Sequence, residues 1–225
     1  MNDEEIRIRI KEHFRSACKN LDRRRYLQES AYVDAFIARL DGTLYIGKDN
    51  GFIQFTPTII ADRGAGSAES KYGADFAIVF QSKAVERPIN KAIISQAKNG
   101  SIDNLSKSEN TRLIDQCKKM ARITNSYIIL EAPNISGAMP TVKIGDPATE
   151  LWQKDSIDFD DYFLDQILSC IHGDVRDSFI EGVACSKLSG IKIDVNGLEY
   201  TPETKPRKKR TKSQKNNNDS KGMEY

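Results

Sequence analysis

Two compact apolar runs, Ala74 to Phe80 and Ala92 to Ala97, set the strongest constraint on what this chain can fold into. A connection over 81 to 90 that contains Pro88 joins them, so they read as paired neighbouring strands with their centres buried in a sheet. A buried sheet needs covering layers, and the flanking sequence supplies them. Apolar groups at Ile6, Ile10, Phe14, Ala17 and Leu21 recur at helical spacing over residues 4 to 21. A second helix is expected from about Tyr26 to Leu40, stopped by Asp41-Gly42. Thr43 to Ile46 and Phe52 to Ile60 read as strands around the turn Lys48-Asp49-Asn50-Gly51.

Beyond the central pair, Leu113, Ile114, Cys117 and Ala121 mark a further helix, and Ser126 to Leu130 and Thr141 to Ile144 mark strands. From Phe159 the pattern is helical again, with Tyr162, Phe163, Ile167 and Cys170-Ile171 on one stripe, then Phe179, Ile180 and Val183 on another helix. Ile191 to Val195 reads as a late strand. The fold class is α/β, with a central mixed β-sheet flanked by α-helices. It is expected to form one domain over 1–200: N-terminal helices 4–40, sheet core 43–145 and C-terminal helices 159–187. The segment 201–225 has no apolar periodicity and is expected to be a disordered basic tail.

Composition narrows the chemistry. Hydrophobic residues at 39% and charged ones at 29% describe an ordinary globular protein, with no apolar run of the length a membrane span needs. The N-terminus MNDEEIRIRIKEHF has no apolar signal core, so a cytoplasmic location is expected. Cys18, Cys117, Cys170 and Cys185 are scattered and read as buried free thiols, and His13 and His172 are the only histidines. A structural zinc site or a histidine triad therefore has little support, and any chemistry should rest on carboxylates, amides and lysines. The tail 201–225 holds eight basic and three acidic residues, a net +5, while the remaining 26 basic and 29 acidic residues give the body −3.

Alternation puts Gln96 and Lys98 on one face of their strand and Ala97 on the other. Asp75 begins the preceding strand, so pairing of the two brings its carboxylate to the end that carries Gln96 and Lys98. Carboxylate and amide oxygens suit a hard cation such as Mg²⁺ or Mn²⁺, which lowers the pKa of bound water, and a lysine beside it offsets developing phosphate charge. Each residue alone also has a plain structural reading: lysines commonly finish strands in solvent, and aspartates after glycine commonly sit in turns.

GADFAIVF followed by KAIISQAK resembles the PD-(D/E)XK, or restriction-endonuclease-like, nuclease superfamily, and its Gln is similar to the Mrr-like Asp–QxK branch. The resemblance is strongest over residues 29 to 98. It implies a restriction-endonuclease-like core and a metal-dependent DNA endonuclease of restriction or anti-phage defence. It also implies Asp75 as metal ligand, Gln96 in the usual acidic position and Lys98 as the catalytic lysine. The family adds an acid from its first helix, and Glu29, on the apolar face with Val33, Phe36 and Leu40, is the matching candidate. The alternative for Glu29 is a rim position paired with Arg24 or Arg25. Glu69, in the small-residue loop Asp62 to Gly73, is a rival third acid, ranked above Asp62; Gly64, Gly66 and Ser67 of the same loop could offer backbone N–H groups to a phosphate. The sequence departs from the family pattern in Ala74 before Asp75, and in Gln96, which removes a charge. That second departure keeps open a catalytically inactive nuclease-fold module that binds DNA or a partner protein.

The tail residues Lys205, Arg207, Lys208, Lys209, Arg210 and Lys212 are expected to hold nucleic acid through phosphates. The expected partner is DNA, with RNA left open; a homodimer through the helices after Phe159 and a companion sensor or defence protein are further expectations.

Overall fold

The structure, a computed structural model, describes residues 3–26, 28–46, 51–60, 68–83, 88–198 and 200, with the side chains of 68 and 69 left out. The elements run α1 (Asp3–Cys18), a 3₁₀ turn (Arg23–Arg25), α2 (Glu29–Ala38), β1 (Gly42–Ile46), β2 (Gly51–Thr58), α3 (Ala68–Tyr72), β3 (Phe76–Lys83) and β4 (Ile89–Asn99). They continue with α4 (Lys107–Ile123), β5 (Tyr127–Ala132), β6 (Thr141–Asp146), β7 (Leu151–Trp152), β8 (Ile157–Asp158), α5 (Phe159–Tyr162) running into a π turn (Phe163–Leu168), α6 (Asp177–Ala184) and β9 (Ser189–Asn196).

The described strands form one mixed sheet in the order β1-β2-β9-β3-β4-β5-β6-β7, with β8 beside β6. The pair β3–β4 is antiparallel, as its short connection requires, while β3–β9 and β4–β5 are parallel. Alternation then sorts the side chains into two cores. On one face Phe76, Ile78, Ile93, Ala97 and Leu130 meet Phe14 of α1, Phe36 of α2 and Phe163 of the π turn. On the other, Ala77, Ile94 and Ile129 meet Leu113, Cys117 and Met120 of α4 and Phe179 of α6. Every residue of β5 is buried, which fits a central strand covered on both faces.

Three expectations are corrected. The sheet is not confined to 43–145: β9, the last strand in sequence, lies between β2 and β3, antiparallel to one and parallel to the other. Its alternation of buried Ile191, Ile193 and Val195 with the more exposed Lys192 and Asp194 reflects one covered face, although its backbone is paired on both sides. The helical stripe after Phe159 ends earlier than its apolar spacing suggests. Cys170 has φ 60°, outside the helix, and Ile171 is 66% exposed. All four cysteines are free, but only Cys18 and Cys117 are buried, and Cys170 and Cys185 are exposed. No helix among the described residues is long and apolar enough to cross a membrane. The tail 201–225 lies outside the described residues.

Candidate functional site

The site forms where β3 begins and β4 ends. Two glycines frame it. Gly73 has φ 73°, and a Cβ there would meet the Gln116 carbonyl oxygen of α4 at 2.7 Å, so only glycine lets the chain enter β3 this close to the helix. Gly100, at φ 81°, turns the chain out of β4. Between them the register Phe76↔Ser95 continues by one step, and the Asp75 N–H donates to the Ser95 carbonyl at 2.8 Å. Asp75 therefore stands opposite Gln96, on the α4 face of the sheet.

The Asp75 carboxylate accepts two hydrogen bonds on one oxygen, Oδ2. The Ala97 N–H donates at 2.8 Å, and the Gln96 side-chain amide donates to the same atom. Gln96 is 1% exposed, and its Oε1 is buried without a hydrogen-bond donor. Lys98, two residues on and 4% exposed, projects from the same face; its charge opposes the burial that pushes the Cys117 thiol of α4 up to about 12. The Lys98 Nζ donates to Glu29 Oε2 at 2.8 Å, and the Asn99 N–H donates to Glu29 Oε1 at 3.4 Å. Glu29 opens α2, so its carboxylate reaches the strand end from the opposite helical layer and remains about a third exposed, at 33% of its side chain.

The four residues read as a constellation from the sequence thus come together at one end of the sheet: Asp75 with Gln96, and Glu29 with Lys98. Among the described residues Glu29 pairs with Lys98 and neither Arg24 nor Arg25, and Arg24 is held by Asp22 at 2.8 Å. Asp62 and the neighbouring Gly64, Gly66 and Ser67 lie outside the described residues, as does the Glu69 side chain. So do Lys205, Arg207, Lys208, Lys209, Arg210 and Lys212.

Glu131 escaped notice in the sequence. It stands beside Lys98 in the β4–β5 register and is 4% exposed, yet it pairs with hydroxyls and backbone instead of a cation. Its carboxylate accepts from Ile102 N at 2.8 Å, Thr141 Oγ1 at 2.7 Å and Ser156 Oγ at 3.0 Å. That anchors the turn after β4 and thereby the strand end bearing Lys98. The available signal was an acid ending the apolar run YIIL. A basic 3₁₀ turn, Arg23 to Arg25, lies shortly before α2, with Arg24 and Arg25 exposed.

The oxygens at the site are hard: two carboxylates and one donorless amide oxygen fit Mg²⁺ or Mn²⁺ better than a soft metal. Among the described residues, the one group of three acids within 4.8 Å of one another lies elsewhere, at Asp158, Asp160 and Asp161. Asp161 there is neutralised by Lys11 at 2.7 Å and Arg7 at 3.3 Å, as expected of an ion-pair network. Comparison with family models, with curated proteins and with solved structures finds no match to this chain.

Proposed function

We propose that the protein is a Mg²⁺- or Mn²⁺-dependent endonuclease acting on DNA, with a restriction-endonuclease-like core and an Asp–QxK site of the Mrr-like kind. One observation carries this reading. Asp75 faces Gln96 across an antiparallel strand pair, and Lys98 projects from the same face into an ion pair with Glu29. Asp75, Gln96 Oε1 and Glu29 are the groups that would hold the cation, which when bound polarises a phosphodiester and acidifies water.

This chain's own residues do the rest. The Ala97 N–H fixes the orientation of the Asp75 carboxylate. Lys98 is held by Glu29 at the mouth of the site, where its ammonium can orient a water and offset charge building on phosphate oxygens. Glu29, being a third exposed, joins this buried end to solvent and to the substrate. Anti-phage or restriction defence is the setting this reading proposes, with DNA as the partner.

A second reading has its own observation. Asp75 accepts from Ala97 and Gln96, and Glu29 from Lys98, so both carboxylates find partners within the chain. A module that keeps the fold and only binds DNA or a protein would look the same. Lys98→Ala and the shape-preserving Lys98→Met separate the two. With Mg²⁺ or Mn²⁺ and supercoiled plasmid, nicking should fall about 10²–10³-fold in both variants while DNA affinity is kept. Absence of nicking by the wild-type chain on both DNA and RNA would leave the binding module as the answer.

A further inference from the structure

Gln96 carries a conflict that a glutamate in its place would not. An amide offers a donor at one end and an acceptor at the other, and only the oxygen can ligate a cation. Here the nitrogen end donates to Asp75 and, at 3.4 Å, to the Ala97 carbonyl, and the oxygen end is buried without a donor. The opposite orientation would press the amide oxygen against the carboxylate oxygen, two acceptors with nothing between them. With no cation the nitrogen must therefore face Asp75; with a cation between the two residues the oxygen must.

We propose that the Gln96 amide is a rotating latch that sets the cation threshold of the site, its nitrogen closing Asp75 in the empty state and its oxygen turning inward when a divalent cation is held. The inference rests on the nuclease reading of this site and adds a regulatory property to it. Binding must first give up a hydrogen bond from the buried Gln96 amide to a charged, partly buried acceptor. That loss lowers affinity by about 10–100-fold relative to a carboxylate at position 96. The site then stays empty at low cation concentration and fills when a bound phosphate adds its oxygens as further ligands. Ala97 keeps Asp75 in place during the turn, because its N–H bond at 2.8 Å belongs to the backbone and does not rotate.

The test follows the side-chain amide of Gln96 by ¹⁵N–¹H NMR on the full chain during a Mg²⁺ titration, with calorimetry of Mg²⁺ binding to wild type and Gln96→Glu. In the metal-free chain one amide proton of Gln96 should lie downfield, bonded to a carboxylate. It should move upfield along the same isotherm that calorimetry reports, and Gln96→Glu should bind Mg²⁺ about 10–100-fold tighter. If Mg²⁺ binds and the Gln96 amide proton stays where it was, the latch is wrong while the nuclease reading stands. If Gln96→Glu folds and binds no more tightly than wild type, the latch is equally refuted. Should neither chain bind Mg²⁺ up to tens of millimolar, the latch and the metal-dependent reading fall together. The wild-type amide shift decides alone if Gln96→Glu does not fold.

Discussion

Lys91 shows how firmly single side chains are constrained in this sheet. It is 2% exposed, and its ammonium is held by backbone carbonyls, Ile167 at 2.6 Å and His172 at 2.7 Å, with its Nζ 4.9 Å from the centre of the Phe80 ring. The Ile167 carbonyl already accepts from the Cys170 N–H at 3.0 Å, so the lysine adds a second donor there, drawn from a neighbouring strand. Burial pushes its pKa down from 10.5 to about 8. The sign follows directly. Below pH 8 both folded and unfolded chains carry the proton, and burial of the charge costs stability. Between pH 8 and 10.5 the unfolded chain binds the proton and the folded one does not, so stability rises with pH. Urea unfolding of wild type and Lys91→Met at pH 7 and pH 10 should therefore diverge. Wild type gains about 2–3 kcal/mol relative to the variant at the higher pH. Taking the difference removes the opposite effect of Cys18 and Cys117, whose thiols burial pushes up to about 12 in both chains. A gap that does not change with pH would mean that Lys91 titrates as it does in water.

At the scale of elements, β9 matters most. Residues 189–196 fill the gap between β2 and β3, contributing Ile191, Ile193 and Val195 to the core beneath α1 and α2. Without this strand both neighbours present open edges and the N-terminal hairpin loses its link to β3–β4. A chain ending at residue 186 should therefore fail to fold, giving insoluble protein or no cooperative melt by circular dichroism. A cooperative melt near the wild-type temperature would show that β9 is an accessory. The pairing that makes the site was legible because it is local: two apolar runs with a short connection, an aspartate at the start of one and QAK at the end of the other. Glu29 was reached through the family resemblance, which implies an acid on the first helix, and helical spacing with Val33, Phe36 and Leu40 supported it. The place of β9 was not legible, since alternation reports which faces are covered and carries nothing about which strands lie alongside. The limit of the helix at Leu168 was hidden for a similar reason. Its apolar spacing runs on to Ile171, but the chain leaves helical geometry at Cys170, whose φ is 60°.

Over the whole molecule, charge and site are separated along the chain. Residues 1–200 carry −3, and the segment 201–225 carries +5. A duplex approaching the end of the sheet with Asp75 and Glu29 meets two carboxylates before it meets Lys98, which Glu29 already neutralises. The body alone thus offers little long-range attraction to phosphate, and on the proposed reading the tail supplies it. A cut after Tyr200 is the natural place to test this, because Tyr200 still belongs to the body, its hydroxyl accepting from Arg7 at 3.0 Å. A chain of residues 1–200 should keep the wild-type melting temperature and Mg²⁺ affinity. Its DNA affinity should depend far less on salt, the slope of log K against log salt falling by about 0.9 for every phosphate contact removed. On the same reading, nicking at saturating DNA should be unchanged, since Asp75, Gln96, Lys98 and Glu29 are all kept. An unaltered salt slope would instead place the phosphate contacts on the body, with the exposed Arg24 and Arg25 beside α2 as the first positions to replace.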